Sequence, residues 1–262
     1  MVNLARIVHG VPTERPPLVI VHGLFGSGRN WGAIARRLSE GAEARQVVAV
    51  DMRNHGDSPA DPVHDYEALA GDLAGVLAEV APDGRVDLLG HSMGGKAAMV
   101  LALTRPERLR RLVVADMAPA AYAHSQMRYV EAMAAVDLSK VRRRGDADAA
   151  LAASVPDRGL RAFLLQSLAL SSEGARWKLN LAALADQMPR IMDFPDVGQP
   201  FAGPALFVTG AESTYVRPEN EARIRDLFPA ARLQAIAGAG HWLHADAPEA
   251  FTAAVAAFLD AG

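Results

Sequence analysis

A serine set between two glycines, at the junction of an apolar run and a helical pattern, constrains this chain more than any other feature. Gly90-His91-Ser92-Met93-Gly94 follows Val86-Asp87-Leu88-Leu89 and precedes Lys96-Ala97-Ala98-Met99-Val100-Leu101-Ala102-Leu103. Strand, sharp turn and helix in that order leave little room at the turn, so the positions two residues either side of the serine must be small. The same geometry places the backbone N–H groups after Ser92 at a helix N-terminus, where they stabilise a developing anion. The frame, more than the five residues themselves, singles out Ser92 as a nucleophile.

Around this elbow, short apolar runs alternate with longer helical patterns. Strands are expected over 18–22, 46–51, 86–90, 112–116, 205–210 and 233–237. Helices are expected over 31–39, 66–80, 93–104, 219–227 and 248–259. The strand runs are rich in Val, Ile, Leu and Ala without polar alternation, as in parallel strands covered on both faces. The fold class is therefore α/β, a doubly wound, mostly parallel sheet. Residues 4–8 read as an added antiparallel edge strand. Between 119 and 200 only helical patterns are found, over 126–135, 147–153, 160–170 and 177–188. This divides the chain into a core of 1–118 and 201–262 and a helical cap insertion, 119–200, over the carboxyl ends of the strands, where open sheets bind ligands.

The 262 residues are 50% hydrophobic and 22% charged, enough for one sizeable core. A net charge of −3 gives no nucleic-acid or polybasic membrane surface, and Arg142-Arg143-Arg144 reads as a solvated run. The absence of cysteine removes disulfides, thiol catalysis and thiolate metal sites. The N-terminal Met1-Val2-Asn3-Leu4-Ala5-Arg6 has no apolar leader segment, and no run is long enough to span a bilayer. A cytoplasmic monomer or homodimer is expected, acting on a small molecule, with no nucleic-acid or membrane partner.

A serine hydroxyl needs a base, and the base an orienting acid. Of eight histidines, His241 fits best, in the Gly-rich turn Gly238-Ala239-Gly240-His241-Trp242 between the last strand and the final helix. His244, three residues on, fits less well. His91 should point away from its neighbour Ser92 and pack. His22 is expected to tie loops together, and His55 to be structural. His9, His64 and His124 lack a supporting frame. For the acid, the late strand end Val208-Thr209-Gly210-Ala211-Glu212-Ser213-Thr214 offers Glu212, one step before the place where Asp is common. Asp116, ending the strand after the nucleophile helix, is preferred because a strand-terminal carboxylate at that edge reaches the histidine from the other side.

The loop His22-Gly23-Leu24-Phe25-Gly26 follows the first central strand and should supply a second oxyanion donor. The Leu24 amide is expected to join that of Met93, with the Phe25 amide as the alternative and the Phe25 ring lining the acyl pocket. Trp242, Tyr122 and Trp177 are further substrate-binding candidates, with Met127 and Phe163 beside them. Apolar residues at helical spacing are more often core.

Together these motifs resemble the α/β-hydrolase superfamily over nearly the whole chain, least in the insertion. The segments from His22 to Ser27, Asp51-Met52-Arg53-Asn54-His55-Gly56, Gly90 to Lys96 and Gly238 to Trp242 are similar to the YbfF-like bacterial esterases. In that branch the triad acid follows the strand after the nucleophile helix, so Val114-Ala115-Asp116-Met117-Ala118-Pro119 supports Asp116. The resemblance implies hydrolysis of short acyl esters, with thioesters included, through an acyl-enzyme and without metal or organic cofactor. A carboxylate-nucleophile dehalogenase or epoxide hydrolase is excluded by Ser92. A small-molecule receptor, or a C–C-bond-cleaving or otherwise non-hydrolytic member of the same fold, remains the alternative.

Overall fold

Strands β2 (Leu18–Val21) and β3 (Val47–Val50) are apolar and buried at every position because helices cover both faces of the sheet. They sit in the middle of a computed structural model that describes residues 1–41 and 43–261. The other strands of the main sheet are β1 (Arg6–His9), β4 (Val86–His91), β5 (Leu109–Ala115), β8 (Ala205–Gly210) and β9 (Ala231–Ile236). Their order is β1-β3-β2-β4-β5-β8-β9, antiparallel at β1 and parallel elsewhere. The doubly wound reading and the antiparallel edge strand both hold. β5 starts three residues before its expected place, because Arg110 and Arg111 break the apolar run. Arg110 lies within the strand and donates to the buried Asp87 carboxylate of β4 at 2.9 Å.

Alternate residues of each strand feed opposite cores. Val19, Val21, Leu88, Leu112, Val114 and Phe207 pack under the helices Tyr66–Val80 and Met93–Thr104. Leu18, Ile20, Leu89, Val113 and Val208 pack under Gly32–Ser39 and Pro248–Asp260. Asp65 starts the first of these helices by accepting the Ala68 N–H at 2.9 Å, a cap worth about 1 kcal/mol.

The segment between β5 and β8 departs from expectation. It contains the helices Met127–Ala134, Arg144–Leu151, Arg158–Leu164, Leu181–Asp186 and Met188–Met192. It also contains an antiparallel ribbon, β6 (Leu168–Ser171) with β7 (Gly174–Trp177), where helix was expected over 160–170 and from 177. The ribbon turns through Ser172 and Glu173 into Gly174, whose φ of +120° suits glycine. Both strands are four residues long and partly exposed, so their alanines and leucines show no strand periodicity. Val130, Met133, Leu151, Leu164 and Leu184 join the core on the face of the helix Met93–Thr104, which follows Ser92. No helix is long and apolar enough to cross a membrane among the described residues.

Candidate active site

Among the described residues, four non-glycine residues have left-handed backbone, and each follows the carboxyl end of a parallel strand: Phe25 after β2, Asn54 after β3, Ser92 after β4 and Asp116 after β5. Such conformations cost about 1–3 kcal/mol each and persist where surrounding bonds over-determine them. At the elbow, Ser92 has φ 54° and ψ −121°. Its N–H donates to the Ala115 carbonyl, and its own carbonyl accepts the Lys96 N–H, both at 3.1 Å. The glycine requirement is steric. A Cβ on Gly90 would lie 2.2 Å from the Gly94 oxygen, and one on Gly94 would lie 2.4 Å from the His22 oxygen.

The turn after β9 brings His241 over this serine. Its Nε2 lies 3.1 Å from Ser92 Oγ, and its Nδ1 donates to Asp116 Oδ2 at 2.7 Å. With the proton on Nδ1, a neutral ring presents Nε2 as an acceptor to the hydroxyl. Asp116 is fully buried, and its carboxylate is well supplied with donors. The Gly210 N–H donates to Oδ1 at 3.1 Å, and the Ser213 hydroxyl donates to Oδ2. Ser213, at the position where the late-strand acid was sought, thus serves the carboxylate that stands at β5. Glu212 is exposed, and its N–H is used by the Ala239 carbonyl. His91 donates from Nε2 to the His241 carbonyl at 2.9 Å, so it holds the turn and not the serine. His244 stacks on Trp31 at 4.2 Å, away from Ser92.

Buried histidines shape the neighbouring loop. His22 donates Nδ1–H to the Gly23 carbonyl and accepts the Met52 N–H at Nε2. His55 donates Nδ1–H to the Arg53 carbonyl and accepts the Phe25 N–H at Nε2. The Phe25 amide is therefore committed, which removes it as the alternative oxyanion donor. The Leu24 amide has no hydrogen-bond partner among the described residues. Met93 opens its helix, where first-turn amides are free. His64 does have a frame, contrary to expectation: Asn54 donates to its Nδ1, and its Nε2 lies 3.4 Å from Met93 Sδ. Burial lowers the pKa of His22 to about 4 and those of His55 and His64 to about 3. All three remain neutral at pH 7 and act as fixed donors and acceptors.

The site opens into a cavity of about 570 Å³. Leu24, Phe25, Ser92, Met93, Tyr122, His241 and Trp242 line it, together with Phe163, whose ring lies 5.7 Å from that of Trp242. Trp177 does not line it. Its indole N–H donates to the Met133 carbonyl at 3.0 Å, pinning β7 to the helix Met127–Ala134. Met127 is likewise packed against the core and absent from the lining. Tyr215, which packs on His241, and Lys96 of the nucleophile-motif helix also line the cavity, and neither is singled out by sequence pattern.

This Ser–His–Asp array at the carboxyl edge of a doubly wound sheet defines the α/β-hydrolase class, and the α/β hydrolase fold family model matches residues 16–248. The chain belongs to that family. Within it, the chain is 43% identical over 250 residues to the sn-1-specific diacylglycerol lipase ABHD11 of Mus musculus, covering 93% of this chain and 81% of that one. It is 38% identical over 247 residues to Esterase YbfF of Escherichia coli, covering 93% of each. A solved structure described as a marine microorganism esterase superposes with a TM-score of 0.92 at 34% identity, covering 98% of this chain and all of that one.

Proposed function

We propose that this chain is a serine hydrolase that cleaves short-chain carboxylic esters, and thioesters of the same acyl groups, through an acyl-enzyme on Ser92. The observation that carries the reading is the continuous path from Ser92 Oγ through His241 to Asp116, facing a cavity large enough for a small ester.

His241 Nε2 removes the Ser92 proton as Oγ attacks the acyl carbonyl. The Leu24 and Met93 amides hold the oxyanion, and each such donor is worth about a hundredfold or more in rate. The tetrahedral intermediate collapses, and the alcohol or thiol leaves with the proton from His241. Water then attacks the acyl-enzyme, giving its proton to His241, and Ser92 is released with the carboxylic acid. Asp116 keeps the Nδ1 tautomer and stabilises the imidazolium at each stage. Residues 119–200 act as a cap: Tyr122, Phe163 and the segment ending at Met192 close the cavity above the elbow and exclude water from the acyl pocket.

The relatives named esterase and lipase support ester hydrolysis. The short-chain preference, the thioester activity, the cap role and cytoplasmic residence are this reading's own. A series of p-nitrophenyl esters from acetate to palmitate, with the matching acyl-coenzyme A thioesters, tests it. The expected result is the highest kcat/KM at acetate or butyrate in both series. A flat response near zero across both would overturn it in favour of a receptor or a non-hydrolytic enzyme.

A further inference from the structure

Lys96 differs from Arg45 and Arg53, two other deeply buried cations. Arg45 pairs with Asp87, and Arg53 with Asp72 and Asp61. Lys96 is 1% exposed, yet among the described residues its ammonium hydrogen-bonds to backbone oxygens only. Nζ donates to the Met192 carbonyl at 3.0 Å and to the Asp193 carbonyl at 2.6 Å. An ammonium has three N–H bonds, and the third has no oxygen or nitrogen acceptor among the described residues. The ring faces of Tyr122 and Tyr66 lie 4.7 Å and 5.6 Å from Nζ. Both hydroxyls are turned elsewhere, Tyr66 to the Ile191 carbonyl and Tyr122 to the Tyr215 carbonyl.

The residue also lines the cavity that holds Ser92. It stands one helical turn beyond the serine, about 6 Å along the axis. Side chains on a helix lean toward its N-terminus, so Lys96 leans back toward the elbow. Lys96, in its protonated form, and the faces of Tyr66 and Tyr122 thus line the same cavity as Ser92, on the side a group beyond the acyl carbonyl would occupy. Burial has pushed this amine down to about 7, against the raising influence of Asp193, as expected where no carboxylate neutralises it locally.

An alkyl chain in that position leaves the third N–H unsatisfied, whereas a chain bearing an oxygen satisfies it. Sites built to bond a substrate oxygen discriminate strongly against the analogue that lacks it. We propose that Lys96 is a specificity-determining residue that selects acyl groups carrying a keto or hydroxyl oxygen along the chain over plain alkyl groups of equal length. This rests on the reading of Ser92 as the acyl acceptor and names the acyl class that the same pocket takes.

The test compares phenyl levulinate with phenyl valerate, whose acyl chains have the same length and differ by one keto oxygen. Rates are normalised to the alkaline hydrolysis of each ester. For the wild type, kcat/KM favours levulinate by about tenfold or more, mainly through KM. Lys96→Met brings the two within about twofold, and Lys96→Gln, which keeps a donor, falls between. A wild type that treats both esters alike, or prefers valerate, overturns the proposal without any variant. So does a folded Lys96→Met that retains the full preference. Fluorophosphonate labelling of the wild type separates the two failures: labelled Ser92 without levulinate preference sinks the Lys96 proposal alone, and an unlabelled, inactive protein removes the Ser92 reading beneath it.

Discussion

Tyr215 lies flat on the His241 imidazole, with 3.8 Å between ring centroids and 15° between planes. The same residue donates its backbone N–H to Ser213 Oγ, and that hydroxyl donates to Asp116. Its own hydroxyl meets His124 and Gln126 of the 119–200 segment. His241 is thus fixed by the Asp116 carboxylate at one edge, by the Tyr215 ring on one face and by His91 at its backbone. Little rotamer freedom is left to it, which is the preorganisation that proton transfer requires.

Replacing Ser92 by Ala removes the hydroxyl and leaves the elbow backbone intact. The variant is expected to fold with the wild-type Tm, to lose all labelling by a fluorophosphonate probe and to lose ester turnover by about a thousandfold or more. Gel fluorescence and a p-nitrophenyl acetate assay read both outcomes. Persistent labelling at wild-type intensity would place the nucleophile elsewhere.

The choice between the two candidate acids separates cleanly. Asp116→Asn is expected to lower kcat on p-nitrophenyl acetate by about a thousandfold or more, since the amide disfavours the Nδ1–H tautomer of His241. Glu212→Gln, at an exposed side chain, should stay within about twofold of wild type. Steady-state kinetics on both variants decide the matter, and the reverse ranking would reassign the acid.

Acid should destabilise the fold early. Burial lowers the pKa values of His22 and His244 to about 4, of His55 and His64 to about 3, and of His91 well below the ordinary 6.5. Below 6.5 the unfolded chain takes up these protons and the folded one does not. Their neutral form therefore supports full stability above that pH, and stability falls as pH drops toward 4. Each histidine contributes about 1 kcal/mol per pH unit across that window. Tm measured from pH 8 to pH 5 should be flat down to about 6.5 and then decline steeply; a Tm independent of pH would contradict it.

Two glycine substitutions make a matched pair. A Cβ on Gly94 runs into the His22 carbonyl, whereas one on Gly32 meets nothing within 4 Å at the start of its helix. Gly94→Ala is expected to cost about 3 kcal/mol or more by forcing the helix off β2. Gly32→Ala should be neutral or stabilise by about 0.5–1 kcal/mol. Urea denaturation of the two proteins measures the difference.

Much of this site could be read from residue order because its chemistry sits at strand ends, where apolar runs stop and glycines begin. Ser92, His241 and the Leu24 loop follow that punctuation, and Asp116 marks the end of an apolar run without a glycine. Residues that work through tertiary contact left no such mark. Trp177 looked like a pocket aromatic until its indole N–H was found on Met133, and His64 looked unsupported because its partners, Asn54 and Met93, lie 10 and 29 residues away. Lys96 falls within an apolar helical run, and nothing local signals that its amine reaches carbonyls almost a hundred residues on. The β6–β7 ribbon stayed hidden for a different reason: two four-residue strands with one exposed face carry too short a period to tell from helix.

The parallel pairing of β5 with β8 gives residues 119–200 a second duty. Adjacent parallel strands must be joined from the top of one to the bottom of the next, a traverse of about 20 Å for six-residue strands. The described path makes that descent along 193–204, where Gln199 donates to the Leu103 carbonyl and Phe201 to that of Leu227. At Gly198 the backbone passes so close to Leu103 that a Cβ would fall 2.2 Å from its oxygen. The segment proposed as a cap is also the crossover that allows β8 and β9 to join the sheet. Excising it at its two ends would not yield a minimal, open-topped enzyme; it would detach the strand and turn that carry His241.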